Sequence, residues 1–249
     1  LFFLPWGRGY RRLLHCFNHI YVQDQASKEL LQRYGVETVS VAGDTRFDRV
    51  SEVRKAAREL PLVEQFVAGS QRVIVAGSTW PVEEEMLARY VVEHEDVRLI
   101  LVPHEIHEEH MHKVFQYFEG RYVRYTEATL LNVNKCRVLV VDTIGLLSSI
   151  YRYGQVAYIG GGFGVGIHNT LEAAVYGVPV VFGPNWQKFR EARGLLEAGA
   201  GISVKNYREL AAALDKAFEQ QIDMGQRASE YVGSECGATE KIYNELFKK

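Results

Sequence analysis

The amino-acid sequence predicts a doubly wound α/β fold, in which a parallel β-sheet is covered by helices on both faces. From Arg72 onward, short runs of β-branched and aliphatic residues alternate with helical segments, as expected for successive strand–helix–strand units. The last three predicted strands are apolar almost throughout, which is typical of strands buried on both faces. The predicted strands cover residues 72–76, 97–102, 122–125, 137–141, 156–159 and 178–182.

Helical segments lie between these strands and dominate the end of the chain. Pro81 opens the first of them, a position that proline favours. In that helix Leu87, Tyr90 and Val91 recur with the period of an α-helix and predict its buried face. The predicted helices cover residues 81–93, 145–153, 188–197, 207–220 and 225–247.

Residues 1–50 predict a strand, a helix and a second strand, which are too few to close a sheet of their own. We therefore expect residues 1–50 to be the remnant of an N-terminal domain, residues 51–70 a linker helix, and residues 71–249 the C-terminal domain. Because the chain opens at Leu1 without a methionine, we expect a fragment whose upstream part is missing.

Aromatic and basic side chains are mixed near the start of the chain. This mixture is typical of a segment at a membrane surface, and equally of a connecting segment that packs on another domain. The aromatic members are Phe2, Phe3, Trp6 and Tyr10, and the basic ones are Arg8, Arg11 and Arg12.

Composition narrows the class of protein. The formal net charge of −2 gives no reason to expect nucleic acid as a partner, and there is no bilayer-spanning run or secretory signal. The three cysteines (Cys16, Cys136 and Cys236) are far apart and odd in number, which favours a reducing compartment over a disulfide or zinc framework.

A glycine-rich segment predicts the functional site. Five glycines lie within residues 160–166, which we call the glycine turn, and a helix is predicted from His168–Asn169 to Gly177. Glycines allow close approach of the backbone to a ligand, and a helix N-terminus favours a phosphate. Glu172 follows one turn later, within reach of sugar hydroxyls. The segment predicts a nucleotide site, with Gly161, Gly162 and His168 near the phosphate; the alternative is an ordinary tight connection.

Other polar loops follow the predicted strands, at the sheet edge where doubly wound folds bind ligands. They contain Ser78–Thr79, His104–Glu105, residues 142–145 and Gly183–Pro184. The hydroxyl groups of Ser78 and Thr79 suit either a helix cap or a phosphate.

Four histidines, His104, His107, His110 and His112, lie within nine residues but do not form the HExxH zinc pattern. We therefore expect no metal ion at these histidines. We also expect no other cofactor. His104 is expected to face the ligand and the other three to be solvated, whereas His168 suits either a ligand or hinge role or a core position.

These motifs together resemble the 3-deoxy-D-manno-octulosonic acid (Kdo) transferases, which are GT-B glycosyltransferases of lipopolysaccharide synthesis. The resemblance rests on GGGFGVGIHNTLE followed by GVPVVFGP, and on GDTRFD, AGST, PHE and DTIG in the family's order. It covers nearly the whole chain, and the Pro-His-Glu-Ile form is similar to the Bacteroidetes branch. The fold implied is the C-terminal Rossmann-like domain of a GT-B enzyme together with the tail of its N-terminal domain.

The resemblance implies an inverting, metal-independent transfer of Kdo from CMP-Kdo to a lipid A precursor. It places Glu172 on the ribose, and it makes Arg46 a stabiliser of the transition state, where the family has lysine. Two departures from the family pattern are His104 in place of arginine and Leu146 in place of glutamate. The CMP-binding positions implied are His104, Glu105, Ile144, Gly145, Leu146, Asn169, Thr170, Leu171 and Glu172.

The family's general base is a glutamate that would lie upstream of Leu1, so the isolated chain is expected to bind CMP weakly and to transfer nothing. The resemblance also implies work at the cytoplasmic face of the bacterial inner membrane, with membrane contact through the upstream region and no nucleic acid. Two alternatives stay open: another GT-B enzyme that uses a UDP-sugar, as a transferase or 2-epimerase, or a nucleotide-binding module without catalysis.

Overall fold

The computed structural model describes residues 2–247 of the 249-residue chain. Internal contacts divide the chain into two compact units. Unit 1 comprises residues 2–49 and 234–247, and unit 2 comprises Val50–Gly233.

The strands and helices follow one another in regular alternation through unit 2. The strands are β1 (Ile20–Val22), β2 (Val39–Val41), β3 (Arg72–Thr79), β4 (Val97–Pro103), β5 (Tyr122–Arg124), β6 (Val138–Val140), β7 (Val156–Ile159), β8 (Val180–Phe182) and β9 (Gly201–Ser203). The α-helices are α1 (Arg8–Leu14), α2 (Gln25–Arg33), α3 (Thr45–Lys55), α4 (Pro61–Val67), α5 (Pro81–Glu93), α6 (Glu108–Tyr117), α7 (Leu147–Ile150), α8 (Leu171–Ala174), α9 (Arg190–Glu197), α10 (Tyr207–Glu219), α11 (Gln221–Glu235) and α12 (Ala238–Phe247).

Unit 2 is built on a seven-stranded sheet in the order β5-β6-β4-β3-β7-β8-β9, and every neighbouring pair is parallel. This confirms the predicted fold class. After β3, the strands β4, β6 and β5 lie on one side of β3, and the strands β7, β8 and β9 lie on its other side. The strand order therefore reverses between β3 and β7, and doubly wound sheets bind ligands at the carboxyl ends of such a pair.

Helix α5 shows how the sequence pattern produces this packing. The side chains of Leu87, Tyr90 and Val91 are fully buried in the cluster that joins α5 to the sheet. Burial of a large apolar side chain stabilises a fold by about 1.5–3 kcal/mol. The predicted apolar stripe is therefore the contact that fixes α5 against β3 and β4.

The segment 51–70, expected as one linker helix, forms the end of α3 and the separate helix α4. Pro61 is the first residue of α4, a position that proline favours, and it marks where the second helix begins. Val63 and Phe66 are fully buried, so α4 belongs to the packed interior of unit 2. The functional boundaries of the predicted domains stay a prediction.

The helix predicted over residues 225–247 is divided into α11 and α12. Gly237 lies between them with a φ of 112°, in the left-handed region that favours glycine. The Asp48 carboxylate accepts the N–H groups of Gly237 at 2.6 Å and Thr239 at 2.7 Å, and so caps α12. These contacts place α12 in unit 1. The prediction missed β9, whose three residues begin with glycine and give little strand signal.

Unit 1 contains the two-stranded parallel pair β1–β2, which packs on α2 through Leu31, Val36 and Val39. Helix α1 has no buried residue, and the Trp6 side chain before it is 71% exposed. The two interpretations of this aromatic and basic segment therefore both stay open. Between residues 2 and 247, none of the helices combines the length and the apolar character that crossing a membrane requires.

Candidate nucleotide-binding site

The glycine turn lies at the reversal point of the sheet. It leaves β7 beside the end of β3, where Gly77 is the partner of Ile159 and the Gly160 N–H donates to the Gly77 carbonyl at 2.9 Å. The polar loop after β3 and the glycine turn therefore form one continuous surface at the carboxyl edge.

Close packing of backbones explains several of the glycines. A Cβ at Gly160 would lie 2.6 Å from the Ser78 carbonyl carbon, and one at Gly162 would lie 2.6 Å from the backbone of Gly183. Both distances are shorter than real Cβ contacts. These glycines let the loops after β3, β7 and β8 touch, which is a structural use that the sequence alone did not separate from ligand approach.

Strand β3 is longer than predicted, because Gly77, Ser78 and Thr79 continue it. The register towards β4 shifts between Gly77 and Thr79, and Ser78 has a φ of 55°. A non-glycine residue in this conformation costs roughly 1–3 kcal/mol, and such residues cluster at functional sites. The bulge directs Ser78 away from regular strand geometry at the point where the site begins.

Beneath the glycine turn lies Glu83, which is fully buried in the first turn of α5. Its Oε2 accepts the Gly161 N–H at 3.1 Å and the Trp80 N–H at 3.0 Å. Burial raises the pKa of Glu83 to about 7, although backbone N–H groups, that of Gly161 foremost, act to lower it. The Gly161 N–H is thus engaged by the protein.

Glu84 forms a second buried contact beside Glu83. One oxygen accepts the Thr79 hydroxyl at 2.9 Å and the other lies 2.9 Å from His110 Nε2. The expectation of a solvated His110 is wrong: its side chain is 5% exposed and joins α6 to α5. The Thr79 hydroxyl is likewise engaged inside the fold.

Three rings stack at the surface of the site. The ring centroid of His104 lies 4.9 Å from that of Trp80 and 4.3 Å from that of His168. The Trp80 indole N–H donates to His168 Nε2 at 3.3 Å, which requires an unprotonated nitrogen there. Burial and the neighbouring His104 lower the pKa of His168. The stack therefore presents aromatic faces, with His168 as a neutral ring and His104 exposed. That His104 faces a ligand stays a prediction.

Glu105, His107 and His110 bring ligand-type atoms within 4.8 Å of one another. Both rings are already used by the protein. His107 Nδ1 accepts the His110 N–H at 3.2 Å and caps α6, and its Nε2 lies 3.1 Å from Glu105. This capping function accounts for the arrangement, and His107 and His112 are exposed as expected.

After the glycine turn, the predicted CMP-binding residues 169–172 form a compact set. Asn169 donates from Nδ2 to Glu172 at 3.0 Å and accepts the Leu171 N–H at 3.1 Å. Burial raises the pKa of Glu172, while the Asn169 bond acts to lower it. Thr170 is fully buried, and its hydroxyl has no hydrogen-bond partner among residues 2–247.

Helix α8 is much shorter than predicted, since it covers only Leu171–Ala174. A single helical turn aligns few peptide dipoles, so its charge at the N-terminus is small. Turn residues continue as far as Gly177, which has a φ of 72°. The predicted phosphate site would therefore depend on side chains and exposed backbone more than on a helix dipole.

The loop after β6 exposes an apolar surface at the same edge. Ile144 is 83% exposed, and Gly145 has a φ of 87°. Asp142 holds the loop, because it accepts the Thr126 N–H at 3.0 Å and the Arg124 Nε at 2.9 Å. Leu146 is half-buried before α7. This arrangement suits contact with the flat face of a ligand.

Arg46 lies in unit 1, where its guanidinium pairs with the buried carboxylate of Asp44 at 2.8 Å. The Asp44 carboxylate also accepts the Arg46 N–H at 2.9 Å. The Arg46 side chain is 47% exposed. Its predicted catalytic contribution stays a prediction.

Three site residues escaped the sequence prediction: Trp80, Glu83 and Glu84. A signal for the two glutamates exists, because they precede Leu87 by four and three residues and therefore share its buried helix face. They were missed because a run of three charged glutamates is normally expected on the exposed face of a helix. Trp80 has no comparable signal.

The fold and the site define the chain as a Rossmann-like unit of the GT-B type, and the solved structures it resembles agree. The C-terminal CMP-Kdo binding domain of WaaA from Acinetobacter baumannii matches with a TM-score of 0.60 and 20% identity, over 76% of this chain and 99% of that domain. A putative UDP-N-acetylglucosamine 2-epimerase from Listeria monocytogenes matches with a TM-score of 0.65 and 17% identity, over 99% of this chain and 64% of that one.

The predicted resemblance to Kdo transferases is confirmed. The 3-deoxy-D-manno-octulosonic acid transferase of Aquifex aeolicus is 28% identical over 225 residues, which cover 87% of this chain and 59% of that enzyme. The chain thus spans less than two thirds of the length of this relative. No family model matches the sequence. The assignment to the Bacteroidetes branch stays a prediction.

Proposed function

We propose that this chain is the donor-binding part of a glycosyltransferase that moves Kdo from CMP-Kdo to a lipid A precursor. The observation that carries the proposal is the set of loops that converges at the carboxyl ends of β3 and β7. It joins the glycine turn, the Asn169–Glu172 pair and the aromatic stack in a chain similar to Kdo transferases. The Glu172 carboxylate accepts hydroxyl groups of the ribose, and Asn169 orients it.

The reaction breaks the bond between the anomeric carbon of Kdo and a phosphate oxygen of CMP. An acceptor hydroxyl attacks the anomeric carbon from the face opposite the phosphate, and this attack inverts the configuration of that carbon. The proton of the hydroxyl passes to a general base. Negative charge develops on the departing CMP phosphate. Polar donors aimed at such charge contribute on the order of 3 kcal/mol each. We assign this task to Ser78 in unit 2, with no metal ion and no other cofactor. From the resemblance alone, Arg46 of unit 1 is proposed separately as a stabiliser of the transition state.

The partners of the complete protein follow from the same proposal. They are CMP-Kdo and a lipid A precursor of the lipid IVA type. Such an acceptor resides in a membrane, and the resemblance implies that the complete protein works at the cytoplasmic face of the bacterial inner membrane. The exposed Trp6 and its neighbouring arginines are compatible with that surface.

A transfer assay tests this function. The full-length protein and the 249-residue chain are each incubated with lipid IVA and with CMP-Kdo or UDP-N-acetylglucosamine. We expect the full-length protein to transfer Kdo without added metal and in the presence of a chelator, and the 249-residue chain to transfer nothing. Conversion of the UDP-sugar alone would support the UDP-sugar alternative. Binding of CMP without any transfer by the full-length protein would favour the module without catalysis.

A further inference from the structure

We propose that Glu83 is a positioning residue of the nucleotide site, which holds the glycine turn through its backbone and takes up a proton when a phosphate binds there. The inference rests on the proposed function. Its geometric basis is that Oε2 accepts two backbone N–H groups, that of Trp80 and that of Gly161, which lies 78 residues after Glu83 in the sequence. One carboxylate therefore connects the first turn of α5 to the loop after β7.

The surroundings of Glu83 make its charge costly. Among residues 2–247 no cation pairs with it, and the neighbouring Glu84 is also fully buried. The second oxygen, Oε1, lacks a hydrogen-bond partner, and so does the Tyr158 hydroxyl on β7. A buried carboxylate without a cation favours its protonated form. The pKa of Glu83, about 7, agrees with this arrangement.

A phosphate at the glycine turn adds a further negative charge to this region. The nearby histidine rings do not offset it, because His168 accepts a hydrogen bond as a neutral ring and its stacking partner His104 is exposed to solvent. Ionised Glu83 and the phosphate repel each other in a region of low dielectric. Proton uptake from solvent at Oε1 removes that repulsion.

The protonated form keeps the turn in place. Oε2 still accepts the two backbone N–H groups, while the new O–H at Oε1 can donate to the Tyr158 hydroxyl, whose pKa is raised by burial and by Glu83. The anchor thus survives the loss of charge. Nucleotide binding and protonation of Glu83 therefore favour each other.

Calorimetric titration of the chain with CMP at pH 7.5, in buffers of different ionisation enthalpy, measures the proton uptake. We compare the wild-type chain with Glu83→Gln, and we use Glu85→Gln as the control because Glu85 is exposed on the same helix. The phosphate of CMP itself titrates near pH 6, so the difference between variants is the informative quantity. We expect uptake by the wild type and by Glu85→Gln that is absent in Glu83→Gln.

The affinity for CMP should also rise more steeply towards low pH in the wild type, by at most about tenfold per pH unit for one proton. Equal proton uptake and equal pH slopes in the wild type and Glu83→Gln would overturn the inference. If the wild-type chain does not bind CMP, the transfer assay on the full-length protein decides the proposed function, and an NMR titration of the Gly161 amide decides the inference. We expect the chemical shift of this amide to change with a midpoint near pH 7 in the wild type and to show no such change in Glu83→Gln. A chemical shift that does not change with pH in the wild type would overturn the inference.

Discussion

Replacement of Glu172 by alanine should weaken the binding of CMP by about tenfold to a hundredfold. Its carboxylate is half-buried at the site and is oriented by Asn169 at 3.0 Å. Hydrogen bonds to a charged group contribute roughly 1.5–3 kcal/mol, which corresponds to this range of affinity. Calorimetric titration with CMP measures the effect.

The exposed Glu219 at the end of α10 provides the control, because Glu219→Ala removes the same charge outside the site. We expect Glu219→Ala to bind CMP as the wild type does. Glu172→Gln should give an intermediate affinity, since an amide still offers one acceptor oxygen. Wild-type affinity in Glu172→Ala would place the ribose elsewhere and contradict the proposed site.

Replacement of Gly160 by alanine should lower the free energy of unfolding by about 3 kcal/mol. The added Cβ would lie 2.7 Å from the Thr79 Cα and would overlap the Ser78 carbonyl group. Since both are backbone atoms, β3 and β7 would have to separate at their carboxyl ends. Overpacking of this kind typically costs 1–3 kcal/mol, and a backbone clash lies at the upper end. Urea unfolding measures the change.

Gly164→Ala is the matched control in the same turn. A Cβ at Gly164 meets its nearest atom, the Gly161 carbonyl oxygen, at 3.6 Å, which is an ordinary contact. We expect a change within about 0.5 kcal/mol, as for other exposed substitutions. If both variants lose the same stability, the close packing at Gly160 is not what requires glycine there.

Much of the fold could be predicted from the sequence because the signals are local. Apolar runs in β7 and β8, and the helical period of Leu87 and Val91, report burial directly. The carboxyl-edge location of the polar loops then follows from the rule for parallel sheets. The long-range pairing of Glu84 with His110 left no such local signal.

The remaining differences have a common physical origin in tertiary contacts. Helix α8 ends early, although its sequence permits more helix, and Ser78 continues β3 in a conformation that propensity disfavours. Burial of Glu83 and Glu84 depends on hydrogen bonds to backbone N–H groups, a hydroxyl group and a histidine from other parts of the chain, although Oε1 of Glu83 has no partner among residues 2–247. A linear sequence shows the charge of these residues and not their partners.

The most direct measurement is calorimetric titration of the wild-type chain with CMP, UMP and CDP under one set of conditions. The proposed donor site predicts binding of CMP at least about tenfold tighter than UMP, a difference of roughly 1.4 kcal/mol. Binding of UMP with equal or greater affinity would contradict a CMP-Kdo donor and support the UDP-sugar alternative.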